Sequence, residues 1–151
     1  AGQYGQIRFI NDSKATNGEA AAKALASFSK IHWCAGGLAK DDGLSACLPY
    51  LENVCHGYFY GQCKEVFAKA VEGRINVSQH NTLSQAVEAA AKAAVQHPCN
   101  EQVILLAPAA ASFDQFSSFE ARGEAFCRLA SQQIAKFQAT VPASYREAGH
   151  V

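Results

Sequence analysis

Short apolar runs rich in β-branched and aromatic residues alternate along this chain with longer stretches of helical periodicity, and that alternation restricts the fold more than any other feature. IRFI (7–10) precedes NGEAAAKALASF (17–28), and KIHWCAG (30–36) precedes a glycine-rich turn and the short helical LSACLPYLEN (44–53). VCHGYFYG (54–61) leads into CKEVFAKAVEG (63–73), INVSQ (75–79) into TLSQAVEAAAKAAVQH (82–97), and EQVILLAPA (101–109) into a final helix over 116–137. Repeated strand–helix units predict an α/β domain, Rossmann-like, with a mostly parallel sheet covered by helices on both faces. The 151 residues suffice for one such domain, and no repeat or linker interrupts them.

Helix starts carry local signals. Thr16-x-x-Glu19, Thr82-x-x-Gln85 and Ser112-x-x-Gln115 each fit a capping box, while Pro98 and Pro142 mark helix ends. The six cysteines include no C-x-x-C pair, and several fall in apolar segments. They read as reduced, buried thiols of a cytoplasmic protein. Cys55 and His56 are strand neighbours facing opposite ways, so a zinc site with Cys63 is not expected.

The turn NDSKATN (11–17) crowds Asp12, Lys14 and Thr16 between a strand and a helix. A helix N-terminus is already electropositive, so a lysine there calls for an anion nearby. In an open parallel sheet the turns after successive strands emerge on one edge, where ligands collect. Lys14, Lys40 of GGLAK (36–40) and Ser112 of APAAASFDQF (107–116) are thus expected to border one solvent-open cleft suited to a small dianion. Each residue also has a plainer explanation. Lys14 serves as a solvated loop lysine, Thr16 and Ser112 as helix caps, Phe119 as core, and Asp41 with Asp42 as neutralising or capping residues.

Thirteen basic and thirteen acidic side chains balance, which argues against a nucleic-acid footprint. No apolar run reaches the roughly 18–20 residues of a membrane helix. The opening AGQYGQIRF lacks a leader's basic and apolar regions. An alanine at position 1 and no methionine suggest a piece of a longer protein. The phosphate loop G-x-x-x-x-G-K-[ST], the G-x-G-x-x-G fingerprint and the G-x-S-x-G elbow are all missing, so a complete ATP- or NAD-dependent enzyme is not expected within this stretch.

NDSKATN, GGLAK and APAAASFDQFSSFEARG (107–123) occur in the order of, and resemble, the C-terminal domain of the Mur ligases, in particular the branch that adds D-glutamate. Ala107 departs from the serine that many members carry there. The resemblance implies one C-terminal domain over 1–151, without the uridine-nucleotide and central ATPase domains. It implies an ATP-dependent amide ligase of peptidoglycan synthesis, in which ATP phosphorylates the carboxylate of UDP-N-acetylmuramoyl-L-alanine and the amine of D-glutamate attacks the acyl phosphate. Lys14, Thr16, Lys40, Ser112 and Phe119, the last through its backbone amide, would hold D-glutamate. Asn11, Asp12 and Lys14 would meet the nucleotide. ATP and magnesium would be bound mainly by the central domain, so no catalytic or metal-ligating residue is assigned here. A bacterial, cytoplasmic monomer touching neither nucleic acid nor membrane is implied, inactive as an isolated domain. A folylpolyglutamate synthetase-like ligase domain and a freestanding α/β module binding a small anion or nucleotide are the alternatives.

Overall fold

The computed structural model describes residues 1–40, 42–97 and 101–140. Asp41, Pro98, Cys99 and Pro142 lie outside the described residues. The main sheet contains β1 (Gly2–Tyr4), β2 (Ile7–Asn11), β3 (Ile31–Gly36), β5 (Val54–Tyr60), β6 (Asn76–His80) and β7 (Gln102–Leu106). A two-stranded ribbon joins β4 (Leu38–Ala39) to β8 (Ala110–Ala111). The helices are α1 (Gly18–Ser27), α2 (Lys64–Ala70), α3 (Leu83–Gln96) and α4 (Phe119–Thr140), with a 3₁₀ helix at Ser45–Asn53.

The sheet runs β1-β2-β7-β3-β5-β6, parallel throughout except for the antiparallel edge strand β1. This is the expected α/β arrangement, with two additions, β1 and the ribbon, too short to leave a periodic signal. The last long strand, β7, is inserted between the first two parallel ones, pairing Asn11 with Leu106 on one side and Cys34 with Leu106 on the other. Every residue of β3 and β7 is buried, as their unbroken apolar runs require of central strands.

Two hydrophobic clusters cover the two faces. Trp33, Phe59 and Phe67 pack under α1, the 3₁₀ helix and α2, with Trp33 and Phe59 edge to face at 5.3 Å. The Trp33 indole N–H donates to the Ala107 carbonyl at 2.8 Å. Phe9 and Phe126 meet on the opposite face, under α3 and α4. Connections that advance across the sheet use one face, and the return through α3 to β7 uses the other. β7 sends its following helix, α4, to the face opposite α1 and the 3₁₀ helix, which follow its sheet neighbours β2 and β3, and this divergence opens the crevice where ligands bind in this architecture.

Cys34, Cys47 and Cys63 are buried free thiols, and burial pushes each up to about 12. Cys127 is half-buried and Cys55 exposed, so the apolar surroundings inferred for the cysteines hold for only part of the set. Among the described residues no cluster of His, Cys, Asp and Glu could hold a metal ion, and no helix is long and apolar enough to cross a membrane.

A polar seam crosses four strands. Gln102 donates through Nε2 to the Ala94 carbonyl, so its Oε1 accepts from Nε2–H of His32 at 2.7 Å. Nδ1 of His32 then accepts from the Tyr58 hydroxyl at 2.9 Å, fixing a neutral imidazole. Ser78 bridges His56 (3.1 Å) and His80 (2.8 Å) one strand further. Burial lowers the pKa of all three histidines; Gln102 opposes that at His32, and the neighbouring His32 and His80 add to it at His56. Between these lowered values and the ordinary histidine value of about 6.5, the unfolded chain binds more protons than the folded one. Stability is therefore complete above about pH 6.5 and lost as pH falls below it. The urea midpoint should drop between about pH 7.5 and about pH 5.5, and His80→Asn should flatten that slope; a midpoint independent of pH would contradict the seam's role.

Candidate functional site

Three loops meet around the carboxyl end of β7. Asp12 N–H donates to the Leu106 carbonyl at 2.8 Å, which starts the turn directly beside β7. Ala109 N–H donates to the Ala15 carbonyl at 2.9 Å, tying that turn to the segment after β7. Ala110 and Ala111 then pair with Ala39 and Leu38, so the segment before Lys40 joins the same edge. Gly37 makes this approach possible: its φ of 131° suits glycine, and a Cβ there would fall on the Ala111 carbonyl oxygen.

The turn itself is tighter than a capping box allows. Thr16 N–H donates to the Lys14 carbonyl, so Thr16 still belongs to the turn, and the cap falls to Asn17, whose Oδ1 accepts from Ala20 N–H at 2.9 Å. Anchoring Ala15 to Ala109 is what delays the helix by one residue, and Thr16 is left half-buried, not used as a cap. The box at Thr82 does form, with its hydroxyl accepting from Gln85 N–H.

Ser112 corrects two expectations. It is 2% exposed, and its hydroxyl has no hydrogen-bond partner among the described residues. Nor does it cap α4. Its carbonyl accepts from Gln115 and Phe116 N–H to make a turn, the Gln115 side chain donates to the Asn81 carbonyl, and the Ser118 hydroxyl accepts from Ala121 N–H at the helix start. Residues 112–118 are spent returning the chain from the ribbon, which moves the helix start from 116 to Phe119. Asp42 caps with its carbonyl, which accepts from the Ser45 hydroxyl and N–H, and not with its carboxylate.

Lys14 and Lys40 are both exposed, but of Lys14, Lys40 and Ser112 only Lys14 lines the open cleft beside the turn. An open cleft of about 680 Å³ is lined on one side by Asn11, Ser13 and Lys14. Its other side is α4, through Phe119, Glu120, Gly123, Glu124, Cys127 and Arg128. Lys40 and Ser112 lie off this cleft, toward the ribbon. Phe119 is 40% exposed, so its side chain faces the cleft and is not core. The cleft carries carboxylates of Glu120 and Glu124 beside the charges of Lys14 and Arg128. Those α4 residues were not anticipated, although 120, 123, 124, 127 and 128 follow one helical stripe.

Asn11 organises the cleft floor. Its Oδ1 accepts from Ser13 N–H at 3.1 Å and its Nδ2 reaches the Cys127 sulfur at 3.7 Å. The Ser13 hydroxyl donates to the Phe119 carbonyl at 2.6 Å. Asp12 is half-buried, and desolvation raises its carboxyl pKa against the opposing charge of Lys14. Beneath the turn lies Arg122, fully buried. Its Nε donates to the Ser13 hydroxyl at 2.8 Å, one terminal nitrogen to the Ser13 carbonyl at 2.8 Å, and the other to the Ala110 carbonyl at 2.9 Å, with a longer 3.5 Å contact to the Gly36 carbonyl. Arg122 sits inside the FEARG motif, yet nothing in its sequence context marks it as the buried centre of these loops.

Gly123 lets α4 close on Asn11, since a Cβ there would lie 2.9 Å from Asn11 Nδ2 and 3.3 Å from the Ser13 Cβ. Gly123→Ala should destabilise the domain although alanine is the better helix former by about 1 kcal/mol. In Asn11→Ala the same change should cost less, and a urea-denaturation double-mutant cycle showing strict additivity would refute the contact.

No family model matches the chain. It is 48% identical over 128 residues to the UDP-N-acetylmuramoylalanine--D-glutamate ligase of Rhodopseudomonas palustris, a match covering 85% of this chain and 27% of the relative. It is 44% identical over 125 residues to the ligase of the same name from Chelativorans sp., covering 83% of this chain and 27% of the relative. The Rickettsia bellii ligase is 44% identical over 128 residues, with 85% and 28% covered. The chain thus spans little more than a quarter of the length of the curated relatives it matches.

Proposed function

Because the chain belongs to the UDP-N-acetylmuramoylalanine--D-glutamate ligase family, with homologues matched over 83% and 85% of it, we propose that it is the C-terminal domain of such a ligase and carries the D-glutamate subsite. The observation that supports this best is the meeting of the three motif-bearing loops around β7. Ala15 is bonded to Ala109, and Ala110 and Ala111 pair with Ala39 and Leu38, so Lys14, Thr16, Lys40 and Ser112 are spread along one continuous edge.

D-Glutamate brings two carboxylates and one amine. Lys14 and Lys40, both exposed, supply separate positive charges for the carboxylates. The buried hydroxyl of Ser112, unpartnered among the described residues, supplies a hydrogen bond to a group that enters beside it. Thr16 adds a hydroxyl, and Phe119 a backbone amide at the start of α4, where the helix dipole favours negative charge. These contacts orient the free amine toward the carboxylate it must attack, which is the chief contribution a substrate-holding domain makes to rate.

Asn11, Asp12 and Lys14 form the nucleotide edge of the same turn, Asn11 and Lys14 lining the cleft against α4. ATP supplies a phosphoryl group that turns the alanyl carboxylate of UDP-N-acetylmuramoyl-L-alanine into an acyl donor; the amine then forms the amide and inorganic phosphate leaves. Magnesium, which takes one or two carboxylates together with phosphate oxygens, is held mainly by the central domain of the ligase. Metal ions and the uridine nucleotide are assigned to the rest of the ligase, a cytoplasmic monomer. The domain alone is inactive.

In the full-length ligase, Lys40→Ala should raise the KM for D-glutamate roughly 10- to 150-fold, the loss of a charge-assisted bond of about 1.5–3 kcal/mol, while the KM for ATP changes far less. Unaltered D-glutamate kinetics would remove Lys40 from the site.

A further inference from the structure

Arg122 is fully buried and donates to neutral acceptors on separate loops. A guanidinium kept for stability alone is normally paired with a carboxylate, because an uncompensated buried charge is costly. Here the Asp114 carboxylate is near enough to favour the charge, but the short hydrogen bonds go to Ser13 Oγ, the Ser13 carbonyl and the Ala110 carbonyl. The acceptors lie one residue before Lys14 and two before Ser112, and the longer contact reaches Gly36, four residues before Lys40. Gly37 keeps the space open: a Cβ there would stand 3.3 Å from the Arg122 terminal nitrogen. Ser13 passes the constraint on, donating its hydroxyl to the Phe119 carbonyl.

We propose that Arg122 is a positioning residue for the substrate edge: one rigid guanidinium sets the distances between the loops bearing Lys14, Ser112 and Lys40 without touching substrate. The inference rests on the D-glutamate reading above. Two properties of the side chain make it suited to the task. The planar fork fixes the directions of its N–H groups relative to one another, so bonds made to two loops also fix the angle between those loops. Acceptors that are backbone carbonyls cannot swing away as a carboxylate side chain can. A lysine keeps the charge but offers one nitrogen, which cannot serve the Ser13 and Ala110 carbonyls in the same geometry. The loops would then keep their folds yet lose their mutual spacing, and a substrate held from several loops at once is sensitive to displacements of an ångström.

The test uses the full-length ligase with Arg122→Lys, Ser13→Ala and, as a control on the site itself, Lys40→Ala. The KM for D-glutamate, the KM for UDP-N-acetylmuramoyl-L-alanine, kcat and the substrate-free Tm are measured for each. Arg122→Lys should raise the D-glutamate KM about tenfold or more, and the other KM less than about twofold. Ser13→Ala, which removes one acceptor and the link to Phe119, should raise the D-glutamate KM about threefold with kcat little changed. A purely structural arginine gives a lowered Tm and less active protein with both KM values intact, and that outcome overturns the proposal. If Arg122→Lys does not fold, Ser13→Ala decides alone, and an unaltered D-glutamate KM in it overturns the proposal too. A normal D-glutamate KM in Lys40→Ala refutes the site and the proposal with it. A raised KM in Lys40→Ala with a normal one in Arg122→Lys refutes only the positioning role.

Discussion

A single buried cation holds the carboxyl edge of this domain together. Arg122 has no solvent to stabilise its charge, and burial lowers its pKa despite the opposing influence of Tyr60 and Asp114. What compensates it is the Ser13 hydroxyl and carbonyl dipoles drawn from loops far apart in sequence, with the Asp114 carboxylate nearby. Taking away that guanidinium leaves carbonyls of Ser13 and Ala110 desolvated and without their donor, which is why the loops depend on it more than it depends on any one of them. The close approaches at Gly37 and Gly123 follow from the same demand, since each brings backbone in where a Cβ would collide.

The position of β7 explains why those loops are neighbours at all. Inserted between β2 and β3, it brings the segment after residue 106 between the turns at 11–17 and 36–40. α1 and the 3₁₀ helix leave β2 and β3 on one face while α4 leaves β7 on the other, so the three segments are not covered by a common helix layer. The result is an edge with polar groups displayed in a row: Asn11 and Lys14 against α4 at one end, Lys40 and Ser112 by the ribbon at the other.

Much of this was legible in the sequence and some was not, for definite physical reasons. Of the five long parallel strands, β2, β3, β5 and β7 announce themselves as apolar runs, and the unbroken burial of β3 and β7 matches their lack of alternation. Strand order is invisible to periodicity, because where β7 pairs is decided by packing with residues nearly a hundred positions away. Thr16 and Ser112 carried correct capping spacings, yet the bonds Ala109–Ala15 and Ala110–Ala39 took precedence and moved both caps onward. The motifs named the loops that converge but not their geometry, so Lys40 and Ser112, expected to border one cleft with Lys14, do not line the one that Lys14 lines. The acidic stripe of Glu120 and Glu124 follows helical spacing, but a charged stripe on a helix ordinarily faces water and so does not by itself mark a cleft wall.

The placement of β7 also has a consequence for the order of events as the polypeptide is synthesised. Ile7 cannot pair with Gln102, nor Ile31 with Val103, until the ribosome has released most of the domain. Until then β2 and β3 face a gap, each with a row of unsatisfied backbone groups where the middle of the sheet should be. Contacts of such sequence separation form slowly and leave strand edges open to misassociation in the interval. The edge that carries Lys14, Lys40 and Ser112 does not exist in a half-made chain, so binding competence arrives late and together with the closing of the sheet.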